Sequence, residues 1–274
     1  MGQMLVKGGE IEENLNSAER MISNASRGGC EIIVLPECLD VGWTHTSARI
    51  LAQGIPGETS DRLCRNAADN KIMIVAGLTE CEDDRVYNSA ILIDSSGKIL
   101  LKHRKINVLN IAQDLYEIGT ILSVKETRFG TIGINICADN FRSSHEIGHV
   151  LARMGAHFIF SPSSWVVDPK KESSAVSYGK EWQEWKNSYA ILCRLYGLSI
   201  IGVSNVGLVD SGPWKGRNAI GGSLAMGPNG KLLTKGPYGP YAEALVIVNL
   251  KARERTVKGI SYVDYLKEKG YTGV

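Results

Sequence analysis

The sequence has no apolar run near the ~20 residues that a membrane-crossing helix needs, so no membrane role is expected of it. It opens on Met1-Gly2-Gln3-Met4, with no basic stretch leading into an apolar one, and no secretory signal is read there. Val6 stands where N-myristoylation would want Ser or Thr. Dense Lys/Arg stripes are missing and the net charge is only +2, which gives no electrostatic case for nucleic acid. The six cysteines (Cys30, Cys38, Cys64, Cys81, Cys137 and Cys193) are scattered and form no CxxC. That usage predicts reduced thiols and a cytoplasmic location, not a disulfide framework. No Pro/Ser-rich or charged linker interrupts the chain, so residues 1–274 read as one domain, with 255–274 as a C-terminal tail.

What is present is an ordinary globular composition, 43% hydrophobic and 22% charged. Ile11, Leu15, Ala18, Met21 and Ile22 share one helical face, and Gly28-Gly29 ends that helix. A strand over Cys30 to Leu35 closes on Pro36-Glu37. A helix near Thr59 to Asp69 leads to a strand from Ile72 to Ala76. Ser89 to Ile93 and Ile99 to Leu101 then flank a turn at Gly97. The second half repeats this order. Helix 145–154 leads to strand His157 to Phe160, which closes on Ser161-Pro162-Ser163. Helix Glu181 to Tyr196 leads to strand Ser199 to Val203, and a hairpin turns at Gly230. Pro36 thus matches Pro162, and Gly97 matches Gly230. Two such units predict an α/β fold, a four-layer α-β-β-α sandwich with an internal pseudo-two-fold repeat, because each sheet must bury both faces.

The chemistry-bearing stretch is Thr131-Ile132-Gly133-Ile134-Asn135-Ile136-Cys137-Ala138-Asp139. Its isoleucines alternate as in a strand, and the pattern stops at Cys137. Read alone, Cys137 is either a small buried hydrophobe or a nucleophile at a strand-to-helix turn. In the second case its sulfur would be exposed and its thiolate favoured by the positive end of the following helix. The repeat places Glu37 and Ser163 at equivalent strand ends, where α/β folds gather their chemistry. Lys102-His103-Arg104-Lys105 is either a solvated basic loop or the source of a pocket lysine.

Three segments in this order, Leu35-Pro36-Glu37, His103-Arg104-Lys105 and Gly133 to Asp139, resemble the nitrilase superfamily of carbon–nitrogen hydrolases. Further similarity runs through Gly155-Ala156, Ser161 to Trp165, Ser204-Asn205 and Gly221-Gly222-Ser223. The resemblance implies the same sandwich, with Cys137 as nucleophile, Glu37 as general base and Lys105 as the fixed charge near an oxyanion. The Ala138 N–H would complete the oxyanion site. It also implies a small amide or N-carbamoyl substrate, no metal or cofactor, and a homodimer or larger assembly to which the tail near Tyr262 to Lys269 would contribute. Ser163, Trp165 and Phe141 are the expected pocket walls. Ala138-Asp139 stands where nitrilases proper carry Trp-Glu, which favours an amidase-type enzyme. The family's second pocket acid falls on Asp114 or Glu117, or is replaced by Gln113, and Asp114 is taken as the candidate. The family's first strand normally precedes a Gln-Met like Gln3-Met4, so that strand is expected to be truncated.

His145-Glu146-Ile147-Gly148-His149 is a literal His-Glu-x-x-His, the helix signature of zinc peptidases. Ile147, Val150, Leu151 and Met154 define an apolar face, which puts both histidines on the solvated side. The extended form of the motif would want glycine and histidine where Ala152 and Gly155 stand. A zinc-dependent metallopeptidase is therefore the alternative from another class, and a non-catalytic protein of the same fold is a second.

Overall fold

A computed structural model describes residues 1–169, 179–254, 264 and 267–270. In chain order its elements begin with β1 (Gly2–Gln3), α1 (Ile11–Arg27), β2 (Ile32–Val34), α2 (Ala48–Leu51), α3 (Glu58–Asn70), β3 (Met73–Glu82), β4 (Arg85–Ile93) and β5 (Ile99–Arg104). There follow β6 (Val124–Thr127), β7 (Gly130–Ile134), α4 (His145–Arg153), β8 (Phe158–Ser163), β9 (Val166–Val167), α5 (Lys180–Tyr196) and β10 (Ser199–Ser204). The described strands end with β11 (Val206–Leu208), β12 (Asn218–Ile220), β13 (Leu224–Met226), β14 (Leu232–Lys235) and β15 (Ala244–Leu245).

Two large sheets dominate. One is four-stranded, ordered β2-β3-β4-β5, and the other is six-stranded, ordered β14-β13-β10-β8-β7-β6. In the first, β2 and β3 are parallel and the other pairs antiparallel. In the second, β7, β8 and β10 are parallel, and β13, β14 and β6 join antiparallel.

Burial follows the strand period. On β3, Met73 and Val75 enter one core, which they share with Ile132, Ile134, Phe158 and Phe160 of the other sheet. Ile74, Ala76 and Leu78 point the opposite way and meet Leu15, Ala18 and Ile22 of α1 and Leu63 and Ala67 of α3. A strand buried on both faces has no polar alternation to show, and so reads as a continuous apolar run. The six-stranded sheet is backed by α5, whose Leu192, Cys193 and Leu195 join the same core as Ile159 and Ile200.

The expected helices and inner strands stand within a few residues of their predicted bounds, except that β3 runs on to Glu82 and β4 begins already at Arg85. The three-stranded sheet β11-β12-β9 was not expected, and its strands are too short to show a period. β1, Gly2–Gln3, pairs antiparallel with β15, Ala244–Leu245. Of the expected helix-like tail, residues 262–263 and 265–266 lie outside the described residues. No helix among the described residues is long and apolar enough to cross a membrane.

Candidate active site

Glu37 follows β2 across Leu35-Pro36, and its N–H donates to the Ser163 carbonyl at 3.3 Å. The two strand ends matched in the sequence are thus bonded to each other. Gly77 of β3 allows this approach. A Cβ there would lie 2.6 Å from the Glu37 Cα and 2.7 Å from the Pro36 carbonyl oxygen, backbone atoms that cannot step aside. Lys105 follows β5, and its Nζ donates to Glu37 Oε1 at 2.6 Å. Both side chains are essentially excluded from solvent, at 3% and 0% exposure. Burial by itself would lower the Lys105 pKa, but the neighbouring charges, Glu37 first, outweigh it and raise that pKa. Asn88 of β4 donates from Nδ2 to the same Oε1 at 2.6 Å.

Cys137 sits three residues beyond β7 with φ +45°, a left-handed conformation that costs a non-glycine residue ~1–2 kcal/mol. Its N–H donates to Ser161 Oγ at 3.2 Å, and its thiol faces the Ser164 carbonyl at 3.9 Å. Two expectations are corrected here. The sulfur is not exposed, since the residue is only 9% accessible. Nor does a helix stabilise its thiolate, because residues 137–140 form one short 3-10 turn and α4 begins only at His145. Burial and the Glu37 charge push the thiol up to about 12, against the pull of Lys105. The resting site is therefore a thiol beside an ion pair.

Asp139 ties the cysteine turn to the lysine segment. Its carboxylate accepts the N–H groups of Ile136 (2.9 Å), Asn107 (2.7 Å) and Ile106 (3.2 Å). It also meets His103 Nε2 at 2.9 Å. Burial works to raise its pKa, but the His103 bond and charge and the Asn107 N–H hold it below the usual carboxylate range. On the other side of the turn, Asn135 and Asn140 pair amide to amide at 2.7 and 2.8 Å, and Asn140 Nδ2 also donates to Ser161 Oγ.

Of the expected substrate-side residues, Ala138 and Ser163 are fully buried and Trp165 is 1% exposed. The Ala138 carbonyl is held by Asn107 and Ser144. Ser163 Oγ donates to the Ser161 carbonyl. Trp165 stacks on Trp185 with ring centroids 4.7 Å apart, and Phe141 is half-buried. Asp114 departs from expectation. It is exposed, as are Gln113 and Glu117, and its carbonyl is engaged by the Arg49 guanidinium. The buried member of that segment is Tyr116, whose hydroxyl accepts the Thr44 N–H at 3.0 Å and lies 3.7 Å from Cys38 Sγ. A spacing argument could not choose between carboxylates on a loop that sends both outward.

Sequence reasoning also missed Asn88, Ser161 and the grip of Asp139. Asn88-Ser89 was the available signal, two adjacent polar residues leading directly into the apolar run 90–93.

The histidines of the His-Glu-x-x-His segment are not on a solvated face. They turn toward α5, where His145 Nε2 meets Ser188 Oγ at 2.5 Å and His149 Nδ1 meets the Tyr196 hydroxyl. Val150 and Met154, assigned to the apolar face, are instead 42% and 44% exposed. A second helix lying across α4 decides this, and a wheel of one helix cannot show it. Among the described residues no group of three or more His, Cys, Asp or Glu side chains gathers as metal ligands would.

A thiol, a carboxylate and an ammonium buried together can carry nucleophilic attack on a carbonyl with the proton taken up locally. The carbon–nitrogen hydrolase family model matches residues 1–258. A nitrilase of Pyrococcus abyssi is 35% identical over 163 residues, which cover 58% of this chain and 61% of that protein. An omega-amidase of Xenopus tropicalis is 29% identical over 163 residues, 56% of this chain and 58% of that one. The matches to these curated relatives therefore span about six-tenths of their length. Among solved structures, a carbon–nitrogen hydrolase from Helicobacter pylori superposes with a TM-score of 0.77 at 20% identity, covering 87% of this chain and 85% of the other. An amidase mutant from Nesterenkonia sp. AN1, with acrylamide added to its active-site cysteine, superposes with a TM-score of 0.73 at 18% identity and covers 87% and 88%. At these identities the likeness is one of fold, an α/β nitrilase-like fold.

Proposed function

Because this chain belongs to the carbon–nitrogen hydrolase family, we propose that it is a thiol amidohydrolase acting on a small linear amide or N-carbamoyl compound. The observation that carries the reading is the buried Glu37–Lys105 pair, at 2.6 Å, beside a cysteine held in a left-handed turn. Cys137 Sγ attacks the carbonyl carbon while its proton passes to Glu37. Lys105 and the Ala138 N–H face the developing oxyanion. Collapse breaks the C–N bond, and the proton on Glu37 leaves with the nitrogen as ammonia or amine. Water, deprotonated by Glu37, then attacks the thioester carbonyl, the C–S bond breaks, the acid leaves and the proton on Glu37 returns to Cys137 Sγ. Ser163, Trp165 and Phe141 wall the substrate in this reading. The Nesterenkonia amidase, whose active-site cysteine takes a covalent adduct, is consistent with it.

The finer architecture belongs to the same proposal. A four-layer sandwich with an internal repeat is supported by the shared parallel, antiparallel, antiparallel order of β2-β3-β4-β5 and β8-β10-β13-β14. So do the single-domain reading of the chain and a homo-oligomeric state, the latter supported by Val150 and Met154 exposed on α4. A cytoplasmic setting is supported by six free thiols.

The test is ammonia release from acetamide, propionamide and N-carbamoylglycine by the wild type and by Cys137→Ala. Release that needs Cys137, together with a thioester-sized mass increase on that residue, is the expected result. No release from any of the three, or release that survives Cys137→Ala, sinks the reading.

A further inference from the structure

β4 is apolar where it is buried except at Tyr87, Asn88 and Ser89, and Asn88 and Ser89 are both at 0% exposure. Adjacent strand residues point to opposite faces, and these two serve different clusters. Ser89 Oγ donates to Glu80 Oε2 at 2.5 Å, in an ion cluster with Lys102 and Arg104. Asn88 faces the ion pair and touches both of its members. Its Nδ2 donates to Glu37 Oε1 at 2.6 Å, and its carbonyl accepts the Lys105 N–H at 2.8 Å.

The two oxygens of Glu37 are consequently unlike. Oε1 takes donors from Lys105 and Asn88, each at 2.6 Å. Oε2 is equally buried and has no hydrogen-bond partner among the described residues. A carboxylate bonded only to a flexible lysine head could swing and present either oxygen. A second, strand-mounted donor fixes which oxygen is occupied. Asn88 Oδ1 is likewise buried with no partner among the described residues. A purely structural buried amide normally satisfies both of its ends, and leaving one unmet costs ~1–3 kcal/mol. Asn88 is therefore poorly explained as a packing device.

We propose that Asn88 is a positioning residue for proton transfer, pinning Glu37 Oε1 so that Oε2 alone accepts the Cys137 proton. The inference rests on the thiol amidohydrolase reading. In the step concerned, the S–C bond forms, the S–H bond breaks and the proton moves to Oε2. Oε1 keeps its two donors throughout, and the same proton later leaves with the departing nitrogen. A neutral amide suits this position, because a second carboxylate would compete for the proton.

The experiment uses the same three amides and the full chain, with Asn88→Leu and Asn88→Asp checked for folding by circular dichroism. For Asn88→Leu, kcat is expected to fall about 10- to 100-fold, the scale of a misaligned reacting group, with KM nearly unchanged. The acidic limb of its pH profile moves up, since a carboxylate that has lost an N–H donor takes up a proton at higher pH. Asn88→Asp is isosteric and can share one proton with Glu37 on the acid side. Its rate approaches that of the wild type there and collapses as the pair loses that proton, an inversion that a structural role would not give. If both folded variants keep the wild-type kcat and pH profile, the inference is overturned while Cys137-dependent release still stands. If Asn88→Leu does not fold, the Asn88→Asp profile decides by itself. If the wild type releases no ammonia, the parent reading fails and this inference falls with it.

Discussion

Replacing Glu37 by Gln should make Cys137 more acidic while stopping catalysis. The Cys137 thiol is held up at about 12 by burial first and by the Glu37 charge second, against Lys105. Gln is nearly isosteric, leaves the burial in place and removes the negative charge. A unit charge ~4 Å away contributes ~4 kcal/mol at an effective dielectric of ~20. At ~1.4 kcal/mol per tenfold, the pH at which the thiolate appears should fall by about three. Lys105 also loses its partner at 2.6 Å and becomes free to attract the thiolate, which pushes the same way. The residual burial sets a floor near the ordinary thiol value of ~8.5. The assay is the ultraviolet absorbance of the thiolate across a pH titration, with the matching Cys137→Ala protein subtracted to remove the other five cysteines. Hydrolysis should meanwhile drop by about 10²–10⁴, because the thiolate gained has no acid left to protonate the leaving nitrogen. A midpoint unchanged from the wild type, or moved upward, would refute the electrostatic account of this site. Hydrolysis retained alongside a lowered midpoint would refute the role given to Glu37.

Asp139→Ala leaves three N–H donors and His103 without their acceptor, and should cost ~3–5 kcal/mol in urea unfolding; a loss under ~1 kcal/mol would mean the clamp is not a structural centre. Because the folded Asp139 pKa is depressed, its contribution is present above the unfolded value of ~3.9 and is lost as pH falls through the folded one. Gly77→Ala drives a Cβ to 2.6 Å from the Glu37 Cα, so a loss of ~1–3 kcal/mol with a lower kcat is expected; normal kinetics and a normal Tm would show that β3 can yield. His145 is lowered to about 4 by burial, then by His149 and Arg142. The unfolded chain therefore takes up this proton from ~6.5 downward and the folded one only near about 4, so stability should decline as pH drops through that window. His145→Gln should flatten that decline in a Tm-against-pH series, and an unaltered slope would count against it.

The parts of this molecule that the sequence made legible are those governed by a local period. The helical face of α1, the alternation of Ile132, Ile134 and Ile136, and the proline-closed strand ends are set by neighbours three or four residues away, or two. The recurrence of one pattern in the two halves was read from the same local periods, and the repeat it suggests belongs to the proposed architecture. Residues whose fate depends on what packs over them were misread. His145 and His149 looked solvated until α5 covered them, and Asp114 looked like a pocket acid until its loop turned outward.

Cys137 joins both kinds of residue, and the difference between them bears on mechanism. Its place at the end of an apolar strand was readable, but its ionisation was not, because the sign of that depends on long-range burial. A thiol at an exposed helix N-terminus would rest as a thiolate and attack unaided. A thiol buried against the Glu37–Lys105 pair rests protonated, and in the proposed mechanism it gives up its proton in the step that makes the S–C bond. In that proposed mechanism the ion pair has two tasks. Its negative member accepts the proton, and its positive member remains to meet the oxyanion charge that attack creates. A site of this type keeps its nucleophile inert toward passing electrophiles until a carbonyl is seated. On this proposal selectivity comes from coupling proton transfer to substrate placement, which would make the geometry of the Glu37 carboxylate, and hence of the donors on its Oε1, the control point of the reaction.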